Sequence, residues 1–480
     1  MNLVTNLLRP IQAFRLIYLP LVMVYFAYGA LGIIDVTRDM WIKESLTLSP
    51  AELVEISVWL GLPWTVKIGE LVDSVPIFGS QRKAYIGIGA VLTAGGMITL
   101  AGSAGGWIGF TSAHRLYIFG SLLIVIGTVI QDVVADAMST EVVSRVDEGG
   151  RPRPEHDVRT ELGMVQVIGR LALSIGILTV AGLSGWLAKF VERETVFLLG
   201  LIVPAISMVG VLSIRSENTE RQPLNWGILG GGLAFGATVL GLAIGKVPFA
   251  QELIFALSMV VICSMLVVIT RDLDAKTQQS ILFTTIIIFM FRATPSAGDG
   301  YFWWTLDVLK FDAGFYGTLR QTAALLAIAA IWFLSKQLTE YSVRGTLFWL
   351  TIAGALLALP NIGLYYGLHE WTEQQFGFGA RAIALIDTAA GSPFAQVSMV
   401  PLYTLIAFHA PAGRRATWFA LMASLTNLAS VAGQLQTKYL NQALTVGRGE
   451  YDELGMLLIT VMLLSLLSPL IAIALCGRRV

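Results

Sequence analysis

Four charged side chains occur in the middle of long apolar stretches, where a charge is costly and is usually kept for function. Asp132 and Asp136 are four residues apart, which puts both carboxylates on one face of a helix. Two such carboxylates resist ionising together, so the pair is suited to carrying a proton. Arg170 and Arg292 have guanidinium groups, which bind carboxylates through charge-assisted hydrogen bonds. These four residues are therefore candidates for a functional site, with the two aspartates as candidates for proton coupling.

Three further charges join these predicted substrate-binding residues. Asp299 and Arg320 fall in the outer parts of later apolar stretches, and Asp387 falls within another. The alternative for every such charge is a structural ion pair between helices. For the two earlier aspartates, pairing with Arg170 or Lys67 fits the sequence equally well, so both interpretations stay open.

A polar segment between the second and third apolar stretches combines glycines, charges and a proline. Glycine permits close packing and tight turns, and a carboxylate facing a basic pair forms an ion-paired lock. Lys67 and Asp73 lie near enough to the membrane interface to reach water, so a structural role is the alternative for them. We call this segment the gating loop, for the role that a family resemblance implies for it, and it contains Lys67, Gly69, Asp73, Pro76, Gly79, Arg82 and Lys83.

The ninth apolar stretch, residues 279–303, contains Pro295, Gly298 and Gly300 shortly after Arg292. Proline removes a helical hydrogen bond and bends or breaks a helix. Breaks at membrane depth free backbone groups to line substrate sites in transporters. The alternative is an ordinary kink near a helix end. The aromatic run 301–304 is expected to lie in an interfacial belt, with stacking on a ring-shaped substrate as the other interpretation.

About fourteen long apolar stretches follow one another along the 480 residues, and the charges lie mostly between them. A bilayer core of about 30 Å requires roughly 20 apolar residues per helix. Backbone groups inside lipid must be hydrogen-bonded within helices or closed barrels. The composition, 55% hydrophobic and 13% charged, is also far from that of a soluble domain. We therefore predict an all-α membrane protein with about 14 transmembrane helices.

The chain is predicted to contain two related halves. At one constant offset Trp41 matches Trp304 and Leu46 matches Leu309, with an aspartate near the start of each segment. Such a repeat fits a parallel duplication of six-helix bundles. We predict an N-terminal bundle at 1–215, two inserted transmembrane helices at 216–277 and a C-terminal bundle at 278–480.

Basic residues gather in alternate loops, which by the positive-inside rule places both termini in the cytoplasm. Arg9 and Arg15 precede the first stretch and no small-residue cleavage site follows, so we interpret that stretch as an uncleaved span. The longest polar segment, 141–160, is a loop or short helix rather than a domain. We expect a monomer in an inner or plasma membrane, surrounded by lipid.

The remaining composition argues against several other functions. Both cysteines lie inside apolar stretches, which indicates packing rather than a disulfide. The four histidines are scattered without metal-ligand spacing, so we expect neither a metal site nor a cofactor. A formal net charge of zero gives no sign of a nucleic-acid partner. Without a nucleophile and base set or a metal cluster, an enzyme is not expected.

Several motifs resemble a known family. The gating loop has G-x-x-x-D followed by a basic pair, as in the signature loop of the major facilitator superfamily. Residues 73–85, Asp-Ser-x-Pro-Ile-x-Gly-x-x-Arg-Lys-x-Tyr, more specifically resemble the folate-biopterin transporter family. Weaker matches follow in the expected order at 131–137, 295–299 and 411–421 with Ser424 and Asn427. Two departures are Gln81 in the loop and the Gly-Asp-Gly sequence at 298–300.

The resemblance implies a secondary active transporter that moves folate or pterin solutes by alternating access, with protons as a candidate coupling ion. In such a carrier, Arg170 and Arg292 would bind the folate carboxylate. Asp132 or Asp136 would bind the amino edge of the pterin or carry the proton. Two alternatives keep the fold: a carrier of another solute, and a membrane assembly factor for pigment–protein complexes.

Overall fold

The computed structural model describes residues 9–42, 46, 60, 69–147, 149–214, 223, 226–244, 249–271, 273–340, 343–411, 414–447 and 449–476. Within these ranges the regular structure is helical, apart from three isolated bridges in turns. The chain forms two compact units. The first unit is Pro10–Ile269 with Ile406–Ser424, and the second unit is Met1–Arg9, Thr270–Leu405 and Leu425–Val480.

The described helices of the first unit are α1 (Arg9–Ala13), α2 (Leu19–Ala30), α3 (Asp35–Trp41), α4 (Gly69–Ser74), α5 (Lys83–Ala104), α6 (Ala113–Glu141), α7 (Glu155–Phe190), α8 (Arg193–Leu199), α9 (Ile202–Leu212), α10 (Trp226–Ile244) and α11 (Ala250–Thr270). Those of the second unit are α12 (Ala275–Arg292), α13 (Gly298–Asp307), α14 (Ala313–Glu340), α15 (Val343–Leu357), α16 (Leu359–Tyr365), α17 (Leu368–Phe376), α18 (Ala380–Val397), α19 (Met399–Phe408), α20 (Arg415–Ala443) and α21 (Leu454–Cys476). The end of α19 and the start of α20 belong to the first unit.

Helices α5 and α6 pack along each other because small residues let their backbones approach. A Cβ added at Gly89 would lie 2.6 Å from the carbonyl oxygen of Gly127, too close for any larger residue. The approach is reciprocal, since a Cβ at Gly127 would meet the backbone of Gly89. Small-residue contacts of this kind hold membrane helices together, because lipid chains give no hydrophobic drive for association. Helix α6 is thereby fixed, and it carries both predicted aspartates.

Each unit has a buried tryptophan next to two other aromatic rings. In the first unit the ring of Trp41 lies 5.9 Å from Tyr117 and 5.6 Å from Phe197. In the second unit Trp304 lies 5.7 Å from both Tyr301 and Tyr365. Trp304 is only 5% exposed, so this member of the run 301–304 packs inside the unit, and the interfacial belt stays a prediction. Packing against other rings stabilises an aromatic side chain strongly, because it buries a large apolar area.

Eight described helical segments are long and apolar enough to cross a membrane, and they confirm an all-α integral membrane protein. The predicted stretch 51–72 lies mostly outside the described residues, so the total of about 14 spans stays a prediction. The division of the chain into segments 1–215, 216–277 and 278–480 also stays a prediction. The eight are Leu16–Arg38, Lys83–Ala104, Ala113–Glu141, Glu155–Phe190, Arg193–Leu212, Gln251–Thr270, Arg344–Tyr365 and Leu454–Cys476.

Candidate functional site

The carboxylate of Asp73 caps the first turn of α20. It is 1% exposed and accepts the backbone N–H groups of Ala416 at 3.2 Å and Thr417 at 2.7 Å. The Thr417 hydroxyl donates a third hydrogen bond at 2.9 Å. The N-terminal N–H groups of a helix have no partner within the helix and attract negative charge. Asp73 therefore fastens the predicted gating loop to the start of α20, and we call this contact the Asp73 latch.

Arg82 joins Asp73 to the end of α6. Its Nη2 atom lies 3.1 Å from Asp73 and 2.6 Å from Glu141, and its Nε atom donates to Glu141 at 3.2 Å. Burial alone would lower the pKa of Arg82, but the carboxylates of Glu141 and Asp73 hold that pKa above its ordinary value. The guanidinium therefore stays charged and divides its donors between two acids. Sequence reasoning missed Glu141, whose only signal was an acid closing an apolar stretch.

The loop itself turns at Phe78 and Gly79, both with positive φ (51° and 77°). Ile77 and Ser80 exchange two backbone hydrogen bonds of 3.0 Å across this turn, as in a two-residue hairpin. Gly79 supplies the left-handed conformation at little cost, as the sequence predicted. Phe78 is fully exposed at the tip of the turn.

Two side chains outside the predicted gating residues, Gln81 and Tyr85, complete the loop. The Gln81 amide donates to the carbonyl of Asp73 at 2.6 Å. The Tyr85 hydroxyl lies within hydrogen-bond distance of the carbonyls of Leu71 and Val75, at 3.0 and 2.9 Å. These contacts fall on carbonyls at the end of α4, and that of Leu71 also accepts the backbone N–H of Val75 at 2.9 Å. Gln81, a departure from the family pattern, therefore has a clear structural role here.

The remaining predicted loop residues have simpler positions. Gly69 begins α4, Pro76 follows its end, and Lys83 is the first residue of α5. Lys67 lies outside the described residues. The structure thus brings Asp73 and Arg82 into one network and uses Gly79 for the turn.

A second polar site in the first unit centres on Tyr25 of α2. The Tyr25 hydroxyl donates to Asp136 at 2.7 Å, and Asp136 is 4% exposed. The charges of Asp132 and Arg170 also act on this hydroxyl, and the tyrosine ring packs against Gly169, next to Arg170. The structure therefore gathers three predicted residues around one tyrosine. Sequence reasoning missed Tyr25, because a tyrosine in an apolar stretch gives no separate signal.

Asp132 and Tyr25 line a small cavity together with Gln131 and Thr128. Its volume of about 20 Å³ is close to the room that one water molecule needs. Hydroxyl, amide and carboxylate groups line it, so its wall is partly polar.

The predicted break in the ninth apolar stretch is present in the second unit. Helix α12 ends at Arg292, α13 begins at Gly298, and the residues between them, including Pro295, are not helical. The helix therefore ends just ahead of the proline, as a missing N–H donor requires. The Arg292 guanidinium donates to the Ser430 hydroxyl of α20 at 3.1 Å.

One face of α20 satisfies the backbone of this break. Gln436 donates to the carbonyl of Ala293 at 2.7 Å, and the Ser296 N–H donates to the Thr437 hydroxyl at 2.9 Å. Gly433 makes room, because a Cβ there would lie 2.6 Å from the Thr294 carbonyl oxygen. Unsatisfied backbone groups are costly inside a membrane, so this polar face is what permits the break.

A third polar chain lies beyond the break. The Tyr301 hydroxyl donates to Asn361 at 2.7 Å, and the Asn361 amide donates to Asp387 at 3.2 Å. Asp387 is thus linked to α13 through Asn361, which sequence reasoning missed. Asp299 and Arg320 lie on α13 and α14, but their side chains are outside the described part of the chain.

Each unit therefore holds a carboxylate that accepts from a neutral side chain: Asp136 accepts from Tyr25, and Asp387 accepts from Asn361, which in turn accepts from Tyr301. Such groups suit proton exchange and recognition of amino or amide edges. The described residues contain no group of three or more His, Cys, Asp or Glu side chains placed to hold a metal ion.

Known structures share this fold. A POT family transporter in complex with a thioalcohol-conjugated peptide has a TM-score of 0.60 at 14% identity, with 98% of this chain and 99% of that chain covered. The major facilitator superfamily transporter FucP, in the outward conformation, has a TM-score of 0.58 at 11% identity, covering 95% and 99%. The chain therefore shares its fold with these two proteins.

Named relatives extend over almost the whole chain. The folate-biopterin transporter of Synechocystis is 25% identical over 455 residues, covering 94% of this chain and 79% of the relative. Folate transporter 1 of Plasmodium falciparum is 21% identical, covering 87% and 71%. These relatives are transporters, in agreement with the prediction that the chain is not an enzyme. The BT1 family matches residues 29–479, and the chain belongs to the BT1 family.

Proposed function

We propose that the chain is a secondary active transporter of folate- or pterin-type solutes. The observation that carries the proposal is the family match along residues 29–479, joined by relatives named as folate or folate-biopterin transporters. The motif at residues 73–85 lies within that match, and its Asp73, Arg82 and Tyr85 all form structural contacts.

The predicted site residues have the chemistry that such a solute needs. A folate carries carboxylates on its glutamate and a flat pterin ring with an amino edge. We propose that the guanidinium groups of Arg170 and Arg292 bind the carboxylates, as charge-assisted forks. Asp132 then binds the amino edge, while Asp136 carries the coupling proton that its hydrogen bond to Tyr25 helps to place.

We also assign Asp299, Arg320 and Asp387 to substrate binding, because charges within apolar stretches are costly and are usually kept for function. Of the three, Asp387 has the best structural support, because Asn361 and Tyr301 orient its carboxylate. Its neutral partners leave one carboxylate oxygen for a donor on the solute.

Alternating access is the proposed mechanism. The Asp73 latch would close one end of the carrier, and its opening would release the start of α20. With the termini in the cytoplasm, the latch faces the cytoplasm and closes the inward-facing end. We place the protein in an inner or plasma membrane as a monomer.

Uptake of labelled folate into proteoliposomes tests the function. We expect uptake in the unmodified protein, little uptake in Arg170→Ala and Arg292→Ala, and a response to an imposed pH gradient. Arg381→Ala is the matched control, since it removes the same kind of side chain from an exposed position, where the guanidinium pairs with exposed Asp312.

The outcomes separate the alternatives. Uptake that is unchanged in both arginine variants would refute the site assignment, and uptake that ignores the pH gradient would remove proton coupling. Transport of another solute without folate would replace the substrate. Tight folate binding without transport would favour an assembly role.

A further inference from the structure

Three arginines and one histidine of the first unit come together away from the site described above. We call Arg145, Arg159, His409 and Arg415 the basic cluster. Arg145 lies in the loop after α6, and Arg159 lies in the second turn of α7. His409 directly follows the last residue of α19, and Arg415 is the first residue of α20.

Arg145 anchors the cluster to the end of α19. Its Nη2 atom donates to the carbonyl of Ala407 at 3.2 Å and lies 3.5 Å from that of Ala410. The final carbonyls of a helix have no partner within the helix and attract cations. The loop after α6 is therefore held against the α19–α20 connection, and its cation is brought beside His409.

Arg159 approaches the same connection from α7. Its guanidinium carbon lies 4.6 Å from the centre of the Phe408 ring, a cation–π contact that fixes its plane. Its Nη2 atom pairs with Glu155 at 3.2 Å, but the Glu155 side chain is 69% exposed. That pair is therefore a weak counter-charge on the outer side of the cluster.

Three buried nitrogen atoms of the cluster have no acceptor among the described residues. They are Nε of Arg159, Nε of Arg415 and Nε2 of His409. Buried donors without acceptors are rare in folded proteins, and each requires an explanation such as a bound ion. Here two of the atoms are arginine Nε donors, and the third belongs to the histidine beside them.

The side chains of the basic cluster are close enough to change one another's pKa values. Burial and the nearby Arg415 lower the pKa of Arg145. Burial and the cations of Arg159 and Arg145 lower the pKa of His409 to about 4. Like charges held this close repel one another, so the cluster attracts a negative charge.

Four acids of the same unit already have partners. Asp73 accepts from Arg82, Ala416 and Thr417, and Glu141 is paired with Arg82. Glu161 pairs with Arg15 and Arg153. Asp147 accepts backbone N–H groups of its own loop.

We propose that the basic cluster is a binding site for an oxyanion of the phosphate type. A tetrahedral phosphate offers several acceptors in different directions, and arginine is well suited to it. Both inorganic phosphate and the phosphate of a lipid headgroup have this chemistry. Because Arg415 is adjacent to Ala416, an anion here would also hold the α6–α7 loop against the helix start that the Asp73 latch caps. The site does not depend on the proposed folate transport.

Thermal unfolding of the purified full-length protein tests the proposal. Phosphate, added to protein in neutral detergent, is compared with chloride at equal ionic strength. We expect a dose-dependent rise in Tm with phosphate only, since a ligand of the folded state stabilises it. A second arm compares nanodiscs of anionic phospholipid with nanodiscs of phosphatidylcholine, without added phosphate. A rise in that arm alone identifies a lipid headgroup.

Variants locate the site. Arg159→Gln and Arg415→Gln should weaken phosphate binding about tenfold or more, which corresponds to 1.4 kcal/mol. Arg151→Gln is the control, because it makes the same change on an exposed residue of the same loop. If the glutamine variants do not fold, Arg159→Lys keeps the charge and should retain partial binding.

Two results would overturn the site. One is an unmodified protein that responds to neither phosphate nor anionic lipid. The other is equal loss of the response in Arg151→Gln and Arg159→Gln.

Discussion

The carboxylate of Asp73 lies 2.7 Å from the backbone nitrogen of Thr417, 344 residues further along the chain. This contact ties a short loop to the first turn of a 29-residue helix. Asp73 is nearly fully buried there, and its partners are two N–H groups, one hydroxyl and Arg82.

Asp73→Asn should weaken the latch. The amide keeps one acceptor but loses the charge, so Arg82 and the α20 N–H groups are left partly unsatisfied, at a cost of about 1–3 kcal/mol. We expect a lower Tm in detergent and slower folate uptake. Asp147→Asn, an exposed change, is the control. A variant as stable as the unmodified protein would show that the latch does not hold the helix start.

Gly79→Ala should destabilise the loop. Its φ of 77° lies in the left-handed region, where a Cβ costs about 1–2 kcal/mol. Gly87→Ala is the matched control, because Gly87 is inside α5 with no atom within 4 Å of an added Cβ. Helical alanine is favoured over glycine, so Gly87→Ala should raise Tm or leave it unchanged. Equal effects in both variants would contradict the turn assignment.

His409 should make stability fall in acid. Its pKa is about 4 in the folded protein and 6.5 ordinarily, so the unfolded chain binds more protons between these values. Stability from neutral His409 is complete above pH 6.5 and is lost as pH falls to about 4. At 1.36 kcal/mol per pH unit, the loss is about 3 kcal/mol.

Chemical denaturation from pH 7 to 4, in chloride buffers, measures this slope. His409→Gln should flatten it, because glutamine does not titrate. His156→Gln, on the exposed start of α7, should leave it unchanged. A slope that survives in His409→Gln would assign the acid sensitivity to another group.

Tyr25→Phe should affect both stability and transport. It removes the hydroxyl that donates to the buried Asp136 carboxylate, at an expected cost of about 1–3 kcal/mol. Uptake should fall and its pH dependence should shift, because the carboxylate loses an orienting partner. Tyr366→Phe, which is largely exposed, is the control. An unchanged pH profile would argue against a role for this pair in coupling.

Gln436→Leu should loosen the broken helix. It leaves the Ala293 carbonyl without the donor that lies 2.7 Å away, which costs about 1–3 kcal/mol for a buried group. Gln442→Leu makes the same change at an exposed position of the same helix and should have little effect. Tm values in detergent compare the two. Equal stability would mean that water replaces the lost donor.

Sequence reasoning succeeded where one residue type has one physical consequence. Pro295 predicted a helix break, Gly79 predicted a turn, and Asp73 with Arg82 predicted an ion-paired loop. It failed where the partner is distant in sequence or ordinary in type. Glu141 and Tyr25 resemble many other residues of the chain, and only the fold brings them to Arg82 and Asp136.

One missed feature had a readable signal. Ser430, Gly433 and Thr437 are spaced three and four residues apart, which places small and polar groups on one face of α20. That pattern in an apolar helix indicates a close backbone neighbour or a polar partner. The neighbour proved to be the non-helical segment before α13, which no local pattern in α20 could identify.

Helix α20 runs without interruption from residue 415 to residue 443, and at 1.5 Å per residue it is about 44 Å long. Asp73 accepts an N–H group of its first turn, and further along Gln436 donates to the non-helical segment between α12 and α13. Because a continuous helix makes contacts at these two places, one part of it cannot shift without the other. If the helix tilts, it must either lose the contacts at one of the two places or bend.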